Sequence, residues 1–261
     1  MKSRRRVNAT VGRLLYLTFE SVSEMNLVIF DIDGTLTETN AVDEICFVQA
    51  FADAHAITQI NTNWTEYRWV TDSGIMLEIF HERFGQGPTD CELSNYKSRL
   101  AKLLETHWAK DSSLFAEISG ASHALTQLNQ DAAWAVALAT GCWRVSAELK
   151  LRAADIHAEH LPAAFAEDGP SRESILQTAV ARAQQSFGQS RFEKIVSVGD
   201  ALWDVRAASN LGIAFIGVGK GERGLKLRQG GATHVLEDYA DYGQLIDFLG
   251  KAEIPKQNSV V

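Results

Sequence analysis

The chain has 261 residues, 46% of them apolar, enough for one large domain or one domain carrying a smaller insertion. A net charge of −8 leaves no electrostatic footprint for nucleic acid or an anionic membrane, so neither is expected as a partner. Cys46, Cys91 and Cys142 are odd in number and widely spaced and form no C-x-x-C, which fits reduced thiols in a cytoplasmic protein. No apolar run is long enough to cross a bilayer.

Residues 1–24 begin with a basic cluster, Met1 to Arg6, and a short apolar stretch that Arg13 interrupts. With no small-residue cleavage site after it, this segment reads as a loosely ordered extension rather than a leader. The fold is expected to start near Met25. Leu27-Val28-Ile29-Phe30 then runs straight into Asp31-Ile32-Asp33-Gly34-Thr35-Leu36-Thr37. An apolar run that stops at charge predicts a strand buried on both faces, with chemistry at its carboxyl end. Asp31 and Asp33 lie two apart, so an extended backbone sends both the same way. Like charges converging there are costly unless a cation joins them. Asp-Gly alone also suits a polar turn.

From residue 41 to 114 no clear strand appears. Helical spacing runs through Val42, Ile45, Cys46 and Phe51, through Ile75, Ile79 and Phe80, and through Tyr96, Leu100, Leu104 and Trp108. Residues 61–63 and 85–90 are turn-rich breaks. The pattern predicts a helical unit inserted after the first strand. From residue 115 to 261 helices and strands alternate. Strands are expected at 134–139, 163–166, 194–198, 213–218 and 234–236, and helices at 118–128, 145–153, 171–187 (capped by Ser171) and 204–211. The tail from Pro255 looks frayed. This alternation predicts an α/β chain with a mainly parallel sheet covered on both faces.

Ligands of an open parallel sheet bind at the carboxyl ends of its strands. Those ends carry Asp31 and Asp33, then Thr140, then Glu167-Asp168 with Arg172 beyond, then Asp200 and Asp204. An acidic pair, a hydroxyl, a cation and a second acidic pair thus meet at one edge.

The sequence resembles the haloacid dehalogenase-like hydrolase superfamily in three motifs that come in the family's order. Asp31-Ile32-Asp33-Gly34-Thr35-Leu36 matches the first, Leu138-Ala139-Thr140-Gly141 the second, and Gly199-Asp200-Ala201-Leu202-Trp203-Asp204 the fourth. The resemblance implies a Rossmann-like core (25–40 and 115–261) with a helical C1-type cap (41–114). It implies a Mg²⁺-dependent phosphatase acting on a small phosphorylated metabolite. Asp31 is then the nucleophile that forms an aspartyl-phosphate, and Asp33 the general acid and base. Mg²⁺ is held by Asp31, the main-chain carbonyl of Asp33, and Asp200, with Asp204 as a further ligand. Thr140, Gly141 and the amides after them bind phosphate oxygens. The third motif usually supplies a Lys. Here Arg172 stands in its place, and Lys150 is the alternative.

Asp33 disfavours a dehalogenase, since such members lack the second aspartate. A phosphonate-cleaving member needs a cap lysine, and the insert offers only Lys97, Lys102 and Lys110. Alternatives are a phosphomutase resembling β-phosphoglucomutase and a non-catalytic binding protein on the same core. Substrate selection is expected from the cap, at Arg68, Thr71, Asp72, Ser73 and Gly74, which also suit an ordinary helix start. His157 and His160 have a spacing able to bind metal on a helix. Cys142 is a buried or oxidation-sensitive thiol, Trp203 is expected to pack beneath its loop, and Gly217 to Gly221 lacks P-loop spacing.

Overall fold

The computed structural model describes residues 25–256. The extension at 1–24 lies outside the described residues, as does the end of the tail. Six strands form the sheet: β1 (Asn26–Phe30), β2 (Trp134–Ala139), β3 (Ala163–Ala164), β4 (Ile195–Gly199), β5 (Ala214–Val218) and β6 (His234–Leu236). Their order is β3-β2-β1-β4-β5-β6, and every pairing is parallel. The chain builds outward from β1 one way to β3 and then the other way to β6. Strand order therefore reverses beside β1, and the crevice this opens lies at the carboxyl ends of β1 and β4.

Alternation along β1 explains the layers. Val28 and Phe30 pack with α4 (Ala121–Gln130), α5 (Arg144–Ala153) and α9 (Tyr242–Lys251) on one face. Leu27 and Ile29 pack with α6 (Arg172–Phe187) and α7 (Leu202–Leu211) on the other. Burying a strand on both faces requires this unbroken apolar run, and each fully buried Leu, Ile or Phe contributes about 1.5–3 kcal/mol.

Between β1 and α4 the chain forms α1 (Asn40–His55), α2 (Asp72–Phe84) and α3 (Asp90–Lys110). Their own apolar core includes Phe47, Phe51, Phe80, Tyr96 and Leu100. It also takes in Trp143 and Leu149 of the α5 region, so the helical unit rests on the sheet layer through α5. Thr71 Oγ1 accepts the Gly74 N–H to start α2, and Thr89 with Glu92 forms a capping box on α3. The two segments joining unit and sheet run side by side. Glu38 N donates to Ala116 O (2.8 Å) and Ile118 N donates to Leu36 O (2.8 Å).

Two expectations need correction. The strand expected at 163–166 is two residues long, and Ala166–Asp168 forms a 3₁₀ turn in which Phe165 N donates to Asp168 Oδ2. The tail is anchored at its start: Pro255 is buried, its carbonyl accepts from Ser209, and Glu253 O accepts the Phe215 N–H. Two helices, α8 (Gly221–Gln229) and α9, went unseen. Gly224 interrupts α8, which buries only Gly224 and Leu227, too few for a helical period to show, whereas Leu245, Ile246, Phe248 and Leu249 give α9 a legible helical spacing. Among the described residues no helix is long and apolar enough to cross a membrane.

Candidate active site

β1 delivers Asp31 directly to the sheet edge, where its backbone N–H donates to Val198 O of β4 (2.9 Å). The chain then turns through Gly34 at φ +69°. A Cβ at that position would collide with the Asp200 carboxylate and the Asn40 amide, so only glycine lets β1 and β4 bring their acids this close. Asp200 follows β4, and Asp204 lies in the first turn of α7. Asp31, Asp200 and Asp204 are all buried, and each offers a carboxylate oxygen within 4.8 Å of the others.

Arg172 is the first residue of α6. A cation there opposes the helix dipole, so it must be held by something other than its own helix. Its Nη1 lies 3.2 Å from Asp31 Oδ2 and 3.4 Å from Asp204 Oδ1, and its Nε donates to Val70 O (2.9 Å). A Cβ on Gly141 would come within 2.7 Å of the guanidinium, which explains the glycine after Thr140. Thr140 is buried behind this point. Its hydroxyl accepts the Cys142 N–H (3.2 Å), while Gly141 and Cys142 face the cavity. Arg172, rather than Lys150, therefore occupies the position beside Asp31.

Asp33 lives in a different environment. Its Oδ1 accepts from Thr39 Oγ1 (2.5 Å), and its Oδ2 from Lys150 Nζ (2.7 Å) and Cys142 Sγ (2.9 Å). Lys150 is fully buried in α5 and reaches Asp43 Oδ1 of α1 as well (2.7 Å). Asp33, Asp43 and Cys142 thus form a second cluster around a sealed ammonium.

The two aspartates that follow β1 are shifted in opposite directions. Burial pushes Asp31 above the usual carboxylate value, and the Arg172 charge only partly offsets it. Burial also acts to raise Asp33, but the Lys150 charge and the Cys142, Lys150 and Thr39 hydrogen bonds bring it below the usual value. Asp200 is pushed up to about 7 by burial and by Asp31, and Asp204 is raised as well, chiefly by burial. Burial raises the Cys142 thiol well above its usual value, which fits a buried hydrogen-bonding thiol rather than a thiolate.

A cavity of about 350 Å³ connects these groups to the helical unit. Asp31, Asp33, Gly141, Arg172 and Asp200 line it from the sheet side. Asp43, Glu44, Phe47, Trp64, Thr71 and Asp72 line it from the helical side. Of the residues expected to select substrate, Asp72 faces the cavity with only 7% of its surface exposed. Its Oδ2 accepts the Trp143 N–H (2.9 Å). Thr71 also lines the cavity and donates to Pro170 O. Arg68 does not: its guanidinium lies 4.4 Å from the Trp69 ring, where cation–π contact holds it at the surface. Ser73 faces away, bridging Trp143 Nε1 and Ala166 O.

Other expectations resolve as follows. Trp203 lines the cavity rather than packing beneath its loop. Asp168 is bound by both nitrogens of the Arg182 fork, and Glu167 pairs with Lys97, so neither joins the acidic clusters. His157 is exposed beside Asp155 and His160 meets Asn129, away from both clusters. Sequence reading missed Asn40 and Arg223, which touch Asp200 at 2.8 and 3.3 Å, and it missed Asp43 as the partner of Lys150. Lys150 did leave a signal: it shares the buried face of α5 with Ser146, Ala147 and Leu149, where a lysine requires a partner.

The donors of the Asp31–Asp200–Asp204 cluster are all carboxylates, buried and mutually repulsive. Such a set fits a hard divalent cation such as Mg²⁺. Chemically, the edge offers a carboxylate beside a cation fork, with a second carboxylate two residues away.

Solved structures share this architecture. A hydrolase from Pseudomonas syringae is 22% identical with a TM-score of 0.63, covering 84% of this chain and 97% of that one. CbbY from Rhodobacter sphaeroides, solved with phosphate, is 19% identical with a TM-score of 0.59, covering 84% and 96%. A protein from Bacteroides vulgatus assigned as a β-phosphoglucomutase is 16% identical with a TM-score of 0.58, covering 87% and 90%. At such identities the likeness is one of fold. No curated protein matches the chain. The sequence model of the haloacid dehalogenase-like hydrolases matches residues 25–212, the span that holds both acidic clusters and Arg172, and the chain belongs to that family.

Proposed function

We propose that the protein is a Mg²⁺-dependent phosphatase that hydrolyses a small phosphomonoester through an aspartyl-phosphate on Asp31. The observation that carries this reading is Asp31 and Asp33 facing one cavity, Asp31 against Arg172 and within 4.8 Å of Asp200 and Asp204. Asp31, Asp200 and Asp204 would hold Mg²⁺, whose charge lets an anionic carboxylate meet an anionic phosphate.

Arg172 is free to turn its fork to phosphate oxygens while its Nε stays tied to Val70 O. Thr140, Gly141 and the adjacent N–H groups would complete the phosphate site. Asp31 attacks phosphorus, and the leaving oxygen takes a proton from Asp33. Three donors favour the ionised form of Asp33 in the resting site. That form suits the second half of the reaction, in which Asp33 takes a proton from the water that cleaves the acyl phosphate. For the first half Asp33 must take up a proton.

The helical unit at 41–114 would act as the cap, excluding water and presenting Asp72 and its neighbours to the leaving group. A panel of phosphomonoesters with Mg²⁺, run beside Asp31→Asn, tests the reading. Phosphate release by the parent chain and its loss in the variant are expected. Unchanged turnover in Asp31→Asn would sink the assignment.

A further inference from the structure

The cavity is asymmetric in charge. Its sheet wall carries Arg172, Arg223 and the metal-type acids, so the phosphoryl group belongs there. The rest of an ester bound in this way must extend toward the helical wall. That wall holds three carboxylates, Asp43, Glu44 and Asp72, beside the aromatic rings of Phe47 and Trp64, and no lysine or arginine.

The three acids are not equally engaged. Asp43 Oδ1 is taken by Lys150, which is sealed from the cavity. Glu44 Oε2 accepts from Trp64 Nε1 (2.8 Å), which fixes a carboxylate and an indole side by side. Asp72 is more than nine-tenths buried, yet only its Oδ2 has a hydrogen-bond donor, the Trp143 N–H, so Oδ1 is left for a ligand. Burial and the neighbouring Asp43 push the Asp72 carboxyl well above its usual value, so its ionised form is costly in the empty cavity and is favoured only when a ligand brings a positive N–H donor to it.

Resting on the phosphatase reading, we infer that the leaving group of the substrate carries an ammonium group, received by Asp72 and Glu44 against the Phe47 and Trp64 rings. Carboxylates supply charge-assisted acceptors, and the aromatic faces supply a cation–π surface for the carbons next to nitrogen. The same wall disfavours a second anionic group. The cavity's cations, Arg172 beside Asp31 and Asp204 and Arg223 beside Asp200, both lie on the sheet side, where the transferred phosphoryl group would take them. A carboxylate or second phosphate on the leaving group would face Asp43, Glu44 and Asp72 instead, which argues against a bisphosphate as the favoured ligand.

Matched esters test this. The full chain with Mg²⁺ is assayed on 2-aminoethyl, 2-hydroxyethyl and carboxymethyl phosphate, which differ in one terminal group, and on glucosamine 6-phosphate against glucose 6-phosphate. p-Nitrophenyl phosphate reports phosphatase activity as such. The expected kcat/KM is at least about tenfold higher for the amine in one or both pairs, with the carboxymethyl ester poorest. Asp72→Asn and Glu44→Gln should each cut the amine-to-hydroxyl ratio severalfold. Because each ratio is internal to one variant, a general fall in turnover does not move it. A ratio at or below one in both pairs, or a ratio unmoved in both variants, overturns the inference while p-nitrophenyl phosphate hydrolysis leaves the phosphatase reading standing. If no ester is hydrolysed, both fall.

Discussion

Two cations organise this site, and each lies between two aspartates. Arg172 joins Asp31 to Asp204, and Lys150 joins Asp33 to Asp43. The resemblance ends at the cavity. Arg172 lines it and retains a fork able to engage a ligand, whereas Lys150 has no exposed surface and spends its donors on protein atoms. A flat fork suits a group that must hold phosphate. A compact ammonium suits one that fixes a neighbour. The result is that two acids two residues apart, just past the end of β1, are moved in opposite directions, Asp31 upward and Asp33 downward.

The largest effect should come from the open cluster. Asp31→Asn keeps the volume but removes the nucleophile, and kcat should fall by at least about 10⁴-fold in a steady-state phosphate-release assay. Lys150→Met tests the sealed cluster. It strands Asp33 and Asp43 without a counter-ion, so chemical denaturation should show a loss of about 3–5 kcal/mol. The double variant Lys150→Met/Asp43→Asn should recover part of that loss, because it removes one stranded charge. Where Lys150→Met remains folded, kcat should drop about 10²-fold with KM little changed, since the role proposed for Asp33 lies in turnover and not in binding. A larger change in KM would instead place Lys150 among the phosphate-binding groups.

The metal-type cluster predicts a pH-dependent response to Mg²⁺. Asp200 is raised in the fold to about 7 by burial and by Asp31. A raised carboxylate contributes fully below its unfolded value and loses that contribution as pH rises through its folded value. The metal-free protein should therefore lose stability between about pH 4 and pH 7 on account of this group. Added Mg²⁺ should raise Tm by thermal shift clearly more at about pH 8 than at about pH 5. Asp200→Asn should abolish most of that difference. An equal Mg²⁺ response at both pH values would break the contrast between the two clusters.

The smallest effect belongs to a charge pair outside both. Asp168 accepts from both Nη atoms of Arg182 (2.6 Å each) and from Phe165 N. Burial works to raise Asp168, but the Arg182 bonds and the Phe165 N–H hold it below its usual value. Its contribution is present at neutral pH and is lost as pH falls below the ordinary carboxylate value. Asp168→Asn should cost about 1 kcal/mol at pH 7, less in acid, and leave kcat unchanged.

The open cluster was legible in the sequence, whereas of the sealed one Asp33 was placed but the pairing of Lys150 with Asp43 was not. Asp31, Thr140 and Asp200 each stand just past a strand end, and Arg172 and Asp204 in the first turn of the helix that follows one, so a parallel sheet with its crossover helices brings them together. Their spacing along the chain is set by the fold. Asp43 and Lys150 sit within helices, and their meeting depends on how α1 packs over α5, which no local pattern encodes. The same holds for Arg68 and Asp72. Both lie in polar stretches near the start of α2, yet a cation–π contact at the surface draws one outward while a hydrogen bond from Trp143 draws the other inward. The shortness of β3 and the presence of the glycine-broken α8 escaped because neither element buries enough side chains to impose a period.

The reach of Lys150 from α5 to Asp43 has a kinetic meaning. Asp33 and Asp43 belong to opposite sides of the cavity, one on the sheet and one on the helical unit, and a single ammonium is shared between them. If α1 swings outward on the paired segments at 36–38 and 116–118, that ammonium must exchange a carboxylate for water at the same moment that Asp33 becomes wet. Admission of solvent and relaxation of the acid are then one event rather than two. The catalytic proton site would report whether the door is shut.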